Sequence, residues 1–360
     1  MIPKINNQLS EELFKLENYI INHSCDVEHW FRSQWSHQKV PFYSSVDLRN
    51  SGFKLAPVDT NLFPGGFNNL CETFIPLSIQ ATTVAIEKVC PEARKLIIIP
   101  ENHTRNEYYL ENLYHLHNIL ERSGLNVCFG SFNPEINQPQ QFSFGEKKLI
   151  KIYPLIKDDR FLKIKLEDGS IFRPCAVLLN NDLSAGVPEI LKDIEQTIIP
   201  SINASWKTRR KSSHFKFYDS VAEEFAEFVN CDPWLINSYF TSQKEINFHE
   251  RIGEETLVTN VSNILEKIKK KYLQYQIKHE PYVVIKADAG TYGMGIMIAK
   301  NADDVKNLNR KKRNKMSVIK DGNEVTEVIM VLLLFPHLDG ASPLFDVTRS
   351  NQGAQCRLED

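Results

Sequence analysis

The stretch Pro281–Lys300, PYVVIKADAGTYGMGIMIAK, holds the residues best suited to chemistry. Tyr282, Val283, Val284 and Ile285 are β-formers, Lys286 ends that run, and an apolar run resumes at Gly295 and continues to Ala299. The spacing predicts strand, glycine-rich turn, strand. Gly290, Gly293 and Gly295 leave the turn without side chains, so consecutive N–H groups can converge on an anion beside the Lys286 ammonium. That is the chemistry of a phosphate cradle, and a nucleotide is its most direct ligand. G-x-x-G-x-G is not the dinucleotide fingerprint, which has the opposite spacing and runs into a helix. It is not a P-loop either, since no Lys-Ser/Thr pair follows the last glycine. An ordinary hairpin that uses glycine for positive φ is the competing reading.

Two other stretches concentrate polar chemistry. Trp206–Tyr218, WKTRRKSSHFKFY, carries Lys207, Arg209, Arg210, Lys211 and Lys216 with no acidic residue. It reads as a solvated linker, as a single-stranded nucleic-acid binder through its interleaved aromatics, or as an anion-lining segment of a cleft. Its place upstream of the glycine hairpin favours the cleft. Asp47–Asn69 gathers Asp47, Arg49, Lys54, Asp59, Asn61, Asn68 and Asn69 in a loop-rich stretch. An amino-acid ligand needs acceptors for its ammonium and a basic fork for its carboxylates. Arg49 suits the second task, Asp59 and Asn61 the first, and self-capping turns are the structural alternative. His115 and His117 fall two apart in a predicted helix, on different faces, which argues against a metal site.

The elements that must position these residues follow from periodicity. Leu9, Leu13, Leu16 and Ile20 recur at helical spacing, and a short helix is expected from Asp26 to Trp35. Ser78–Val89 and Arg105–Ser123 read as helices, Lys95–Pro100 as a strand buried on both faces, and Asn126–Gly130 as a strand. Strand–helix–strand order there implies a parallel α/β unit. Lys148–Tyr153 and Ala176–Asn180 read as strands, Arg160–Arg173 as a hairpin turning at Asp168-Gly169, and Pro188–Ile199 as a helix. Pro200 marks a boundary. Beyond it come a basic linker, helices near Asp219–Val229 and Asn260–Gln276, the glycine hairpin, and a helix over Asn301–Arg313 capped by Asn301.

Composition sets the class. The chain has 360 residues, 42% hydrophobic and 24% charged, with a formal net charge of −2, so no global field draws it to nucleic acid or anionic membrane. The N-terminus lacks an apolar signal segment, and the longest apolar run, Val328–Phe335, is too short to span a bilayer. Seven cysteines lie scattered without a C-x-x-C pair, which fits a reducing, cytoplasmic setting.

VIKADAGTYGMGI (Val284–Ile296), YSSVDLRNSGFKLAPVDTNLFPGGFNNL (Tyr43–Leu70) and WKTRRKSSHFKFY (Trp206–Tyr218) together closely resemble a bacterial family of glutamate–cysteine ligases of the ATP-grasp-like type. The resemblance implies an α/β fold. An N-terminal α/β domain with a parallel sheet and a substrate-binding role covers 1–200, an incomplete ATP-grasp nucleotide-binding domain covers 201–330, and a divergent tail covers 331–360. It implies ATP- and Mg²⁺-dependent joining of the glutamate γ-carboxylate to the cysteine amine through γ-glutamyl phosphate, the first step of glutathione biosynthesis. Glutamate and cysteine are then the partners, with no nucleic acid and no membrane; metal ligands and oligomeric state are left unassigned. Carried onto this sequence, Lys286 and the loop Gly290, Thr291, Tyr292, Gly293, Met294 and Gly295 hold the ATP phosphates, and Lys211 and Lys216 are candidates for a second phosphate lysine. Lys286, Arg209 and Arg210 are the candidate catalytic cations. Asp47, Arg49, Lys54, Asp59, Asn61, Asn68 and Asn69 are the candidate substrate residues.

Past Ile329 the sequence departs from the family. Met330–Phe335 stands where a polar pair meeting the adenine is expected, and the remaining acids Asp339, Asp346, Glu359 and Asp360 lack the spacing of a Mg²⁺ site. A frame change or a truncation would explain this, with a diverged but functional C-terminus as the alternative reading, and the expectation is a chain weak or inactive by itself. The alternatives are an ATP-grasp remnant that holds nucleotide without ligation, or a related carboxylate–amine ligase with another acceptor.

Overall fold

The computed structural model describes residues 10–102, 106–146, 148–289, 295–317 and 324–332. They fall into two compact units, each discontinuous in sequence. Pro41–Ser45 and Asn61–Ser205 make one; up to Val40, Val46–Thr60 and the chain from Trp206 make the other.

The Asn61–Ser205 unit is built on a six-stranded sheet. Its strands are β3 (Lys95–Ile99), β4 (Asn126–Ser131), β5 (Gln140–Phe144), β6 (Lys148–Pro154), β10 (Ala176–Leu179) and β11 (Thr197–Ile199). The spatial order is β11-β10-β3-β4-β6-β5, with every neighbouring pair parallel except β5 with β6. The apolar run of β3 splits by the pleat. Leu96 and Ile98 pack under α4 (Glu107–Arg122) with its Leu110, Leu113, Leu116 and Leu120. Ile97 and Ile99 face Leu162, Ile164 and Phe172 of the small sheet β7 (Ile156–Asp158), β8 (Phe161–Lys165) and β9 (Ile171–Phe172). A strand covered on both faces reads as continuous hydrophobicity, as the sequence does. α3 (Ile75–Val89) packs beside α4. The chain moves outward from β3 through β4 to β6, then returns to the opposite side of β3 with β10 and β11.

The expected helix over Pro188–Ile199 is replaced by a one-turn 3-10 helix at Glu189–Leu191 and by β11. Asp193 takes φ 52, which ends any helix there, and β-branched Thr197-Ile198-Ile199 adds to the edge of β10.

The other unit carries a four-stranded antiparallel sheet ordered β12-β15-β13-β14. These are β12 (Phe240–Gln243), β13 (Val283–Ala287), β14 (Ile296–Ala299) and β15 (Val328–Leu332). The predicted hairpin is present, with Val283 opposite Ala299 and Lys286 opposite Ile296. One face of the sheet packs on α6 (Glu254–Gln274) and α1 (Glu11–Asn22), uniting Leu13, Leu257, Val261, Ile268, Val283, Ile285, Val328 and Met330 in one core. The alternate residues Ile329 and Val331 pack on Phe215 of α5 (Lys211–Phe228). α2 (Ser24–His37) stacks Phe31 on Phe225 of α5 and sets Trp30 edge-on to the same ring.

Three expectations change here. The stretch read as loop contains a two-stranded sheet, β1 (Ser45–Asn50) and β2 (Leu55–Asn61), turning where Gly52 takes φ 83. The basic linker is helical from Lys211 onward. The helix over Asn301–Arg313 is two pieces, α7 (Asp303–Lys306) and α8 (Arg310–Ser317), because Asn309 starts a new helix by accepting from Lys312 N at 2.9 Å. Asn301 still caps the first, accepting from Asp304 N at 3.1 Å.

Candidate active site

Strand pleat decides which way the lysine of β13 points. Ile285 and Ala287 face the main core, so Lys286 and Asp288 share the opposite face, toward α5. The Lys286 ammonium lies 5.7 Å from the Phe215 ring centroid, and Nζ donates to the Val58 carbonyl on β2. Burial pushes this ammonium down to about 8, with Lys211 adding to the shift and Asp59 opposing it.

Lys211, the first residue of α5, is buried with its Nζ 2.7 Å from Asp59 Oδ1 and 4.1 Å from the Trp206 ring centroid. Arg209 lies 4.8 Å from the same ring and donates through Nη2 to Thr60 Oγ1. Burial raises the Asp59 carboxyl, but Lys211 and Lys286 more than offset it and hold the group below the usual carboxylate range. Asp47 moves the other way. Burial and then the Asp59 charge raise it, against Arg49, Lys286 and Lys211. The β1–β2 carboxylates and Arg49, Arg209, Lys211 and Lys286 thus form one electrostatic cluster, with Arg210 beside it on Glu327.

Asp288 organises its edge. It is 2% exposed; Oδ1 accepts from Ser212 N at 2.7 Å and Oδ2 from Ser212 Oγ at 2.5 Å. Its carbonyl accepts from Lys211 N at 2.9 Å. Arg210, the residue at the helix cap, makes no side-chain cap bond, so the carboxylate of the residue that follows β13 caps α5 in its place. The Asp288 amide donates to the Glu327 carbonyl at 3.0 Å, and Arg210 Nε donates to Glu327 Oε2 at 3.0 Å. Nearby His214 is pushed down to about 4, first by burial and then by Arg209, and is neutral at pH 7. Its Nε2 and the Trp206 Nε1 are buried without a hydrogen-bond partner among the described residues.

The structure therefore brings together Lys286, Lys211, Arg209, Arg210, Asp59, Asp47 and Arg49. Lys54 and Lys216 lie apart from that cluster, and Asn61, Asn68 and Asn69 belong to the other unit. Lys54 is fully buried, and its Nζ donates to the Trp234 carbonyl, to the Asn237 carbonyl at 2.6 Å and to Asn237 Oδ1 at 3.0 Å. With three donors spent on protein acceptors, it is a structural lysine and has no donor for substrate. Lys216 follows Lys211 by about 140° around the helix and is exposed, apart from the cluster. Asn61 accepts from Phe63 N at 3.1 Å, a self-capping turn. Asn68 and Asn69 sit in a 3-10 turn of the Asn61–Ser205 unit, side chain to side chain at 3.4 Å. Gly290, Thr291, Tyr292, Gly293 and Met294 lie outside the described residues, as do the late acids from Asp339 onward. Gly295 is described: φ is 64, and its carbonyl accepts from Ala287 N at 3.3 Å.

Sequence reasoning missed Asp288, Ser212, Trp206 and Glu327. The signal for Asp288 was present, since Lys286-x-Asp288 places two charges on one strand face. Nothing local marks Glu327. Among the described residues no three His, Cys, Asp or Glu side chains converge as a metal site. Mg²⁺ commonly arrives on nucleotide phosphates with one or two protein carboxylates, and Asp288 and Glu327 are the carboxylates at this edge.

The sequence model of the glutamate–cysteine ligase family matches residues 17–331. A solved structure from Methylobacillus flagellatus KT, provisionally named γ-glutamylcysteine synthetase, is similar at a TM-score of 0.86 and 52% identity, covering 93% of this chain and 78% of that one. D-alanyl-alanine synthetase A from Vibrio cholerae O1 gives a TM-score of 0.33 at 7% identity over 67% of this chain and 59% of its own. A glutathione synthetase-like effector from Globodera pallida gives 0.35 at 11% over 81% and 59%. Similarity as low as these last two carries no argument. No curated protein matches the chain. Among the described residues no helix is long and apolar enough to cross a membrane.

Proposed function

We propose how this chain, which belongs to the glutamate–cysteine ligase family and is a ligase of that kind, performs its reaction. Lys286 and Lys211 bind the phosphates of ATP, and Arg209 and Arg210 line the same anionic path. The glutamate γ-carboxylate attacks the γ-phosphoryl group, ADP leaves, and the γ-glutamyl phosphate is then attacked by the cysteine amine with loss of phosphate. Each step gathers negative charge, which fixed cations in a partly dry setting stabilise. Mg²⁺ carried with the nucleotide neutralises further phosphate charge when bound. Arg49 takes the α-carboxylate of glutamate, with Asp59 and Asp47 as acceptors for its ammonium. The scattered thiols favour a cytoplasmic setting.

The observation that carries this reading is the convergence of Lys211 and Lys286, from two separate elements, on Asp59. Hydroxylamine trapping tests it. Incubation with ATP, Mg²⁺ and glutamate, without cysteine, is expected to yield γ-glutamyl hydroxamate in the wild type and none in Lys286→Ala. A wild-type chain that ligates yet yields no hydroxamate rules out the acyl-phosphate route.

A further inference from the structure

The ring of Trp206 is the platform of the cation cluster. The residue is 3% exposed, with Lys211 Nζ 4.1 Å and the Arg209 guanidinium carbon 4.8 Å from its ring centroid. Indole attracts cations to its face more strongly than the other aromatic side chains do. The edge of the same ring is unspent. Among the described residues its Nε1 is buried and donates to nothing, although a buried indole N–H normally finds an acceptor. Indole is a donor only, so the partner that suits it is an acceptor oxygen.

An unpaired N–H by itself assigns nothing, because Trp234 in the core has one too, with Lys54 Nζ 5.1 Å from its ring centroid. The neighbouring cations make the difference. Lys54 spends its three donors on Trp234 and Asn237, so none is left to hold a ligand there. Among the described residues Lys211 spends one donor of three, on Asp59, and Arg209 two of five, both on Thr60. Burial also draws Arg209 below the ordinary guanidinium range, against the pull of Asp59. The surroundings of Trp206 are therefore rich in N–H donors, short of acceptors and already partly dry.

A ligand suited to such a place brings several anionic oxygens on one atom. A carboxylate has two oxygens in one plane, which Arg209 alone can match as a fork. A phosphoryl group presents three around a tetrahedral centre, enough to meet Arg209, Lys211 and an N–H from a third direction. We propose that Trp206 is a nucleotide-binding residue, its ring carrying Lys211 and Arg209 while its Nε1–H donates to a phosphoryl oxygen of ATP. This rests on the assignment of those two cations to the phosphates. The N–H loses its water when the chain folds, and the phosphate supplies the acceptor that the protein lacks.

Indole nitrogen-15 spectra of the full chain test the contact, with the signals of its four tryptophans assigned by through-bond correlation in the wild type. Mg²⁺ with β,γ-imido-ATP, an analogue bound without turnover, is expected to move the Trp206 N–H proton downfield. Glutamate or cysteine without nucleotide should leave it in place. Trp206→Phe keeps an aromatic platform and removes the donor. Calorimetry should show its affinity for the analogue reduced by about tenfold or more, with the glutamate KM unchanged in steady-state assays. If this variant does not fold, the wild-type spectrum decides alone. An unmoved Trp206 signal in a chain saturated with the analogue, wild-type affinity in Trp206→Phe, or a shift produced by glutamate in place of nucleotide overturns the assignment. A wild-type chain that gives no heat with the analogue fails the phosphate reading of Lys211 and Arg209, and this assignment with it. Heat with Trp206 unmoved fails this assignment alone.

Discussion

Lys211 Nζ lies 2.7 Å from Asp59 Oδ1 although 152 positions separate them in the chain. The pair ties the first turn of α5 to β2, and the Lys286 side chain reaches the same strand one residue away, at Val58. Cations placed on a pre-built carboxylate frame are already oriented when an anionic substrate arrives, which is the condition for electrostatic stabilisation without reorganisation.

Replacing Lys286 by Met should remove one phosphate contact while keeping the stem packed against Phe215. The expected result is loss of calorimetric heat with Mg²⁺–ATP and a fall in kcat/KM of about 100-fold or more. Normal nucleotide affinity in a folded Lys286→Met protein would place the phosphates elsewhere.

The same lysine sets a pH dependence. Its ammonium is pushed down to about 8, so kcat/KM for ATP should fall as pH rises through that region, where the charge is lost. Stability should run the other way. Between about pH 8 and the ordinary lysine range the unfolded chain binds the proton and the folded chain does not, so this group's contribution to stability grows as pH climbs. Lys286→Arg should move the activity limb to higher pH; a limb that stays in place in this variant assigns the titration to another group.

Lys54 gives a contrasting case. Lys54→Met leaves the carbonyls of Trp234 and Asn237 without their donor, which should destabilise the fold by about 3 kcal/mol in urea unfolding. KM for glutamate should not change in the folded fraction. A raised KM with unaltered stability would return Lys54 to the substrate site.

Asp288→Ala removes the cap of α5 and strands Ser212. A loss of about 2 kcal/mol is expected, together with a higher KM for ATP because Lys211 sits in the turn that loosens. Asp288→Asn should recover most of the stability. If both variants match wild type in denaturation, the carboxylate is not holding the helix.

Arg49→Ala should raise the glutamate KM roughly tenfold or more with little change in ATP affinity, since a guanidinium–carboxylate contact is strong and local. A glutamate KM that stays put removes Arg49 from substrate binding.

How far the sequence spoke depends on range. β3 was legible because a run of Leu and Ile buried on both faces has one common explanation, and the β13–β14 hairpin because strand, lysine and glycines fall within one short window. β11 was misread because the polar residues before Thr197 mimic a helix, and only the edge of β10 selects a strand. The start of α5 was hidden because its cap comes from Asp288, 76 residues downstream of Ser212. In the site, Lys286 stood out by its place between a strand and the glycines, whereas Lys211 entered only through the family resemblance, beside Lys216. Glu327 was not readable, since its role exists only once β15 lies beside β13. Lys54 looked like a ligand residue in a loop-rich string, and only burial shows it serving the core.

β15 has one further consequence. It separates β12 from β13, and among the described residues β12 has no other strand beside it in the sheet. A nascent chain that has released β12, α6 and β13 still lacks the slat that joins them, so this sheet closes only after the ribosome has passed Leu332. A stop codon or protease cut upstream of Val328 therefore takes out the middle of the lobe and leaves two unjoined edges.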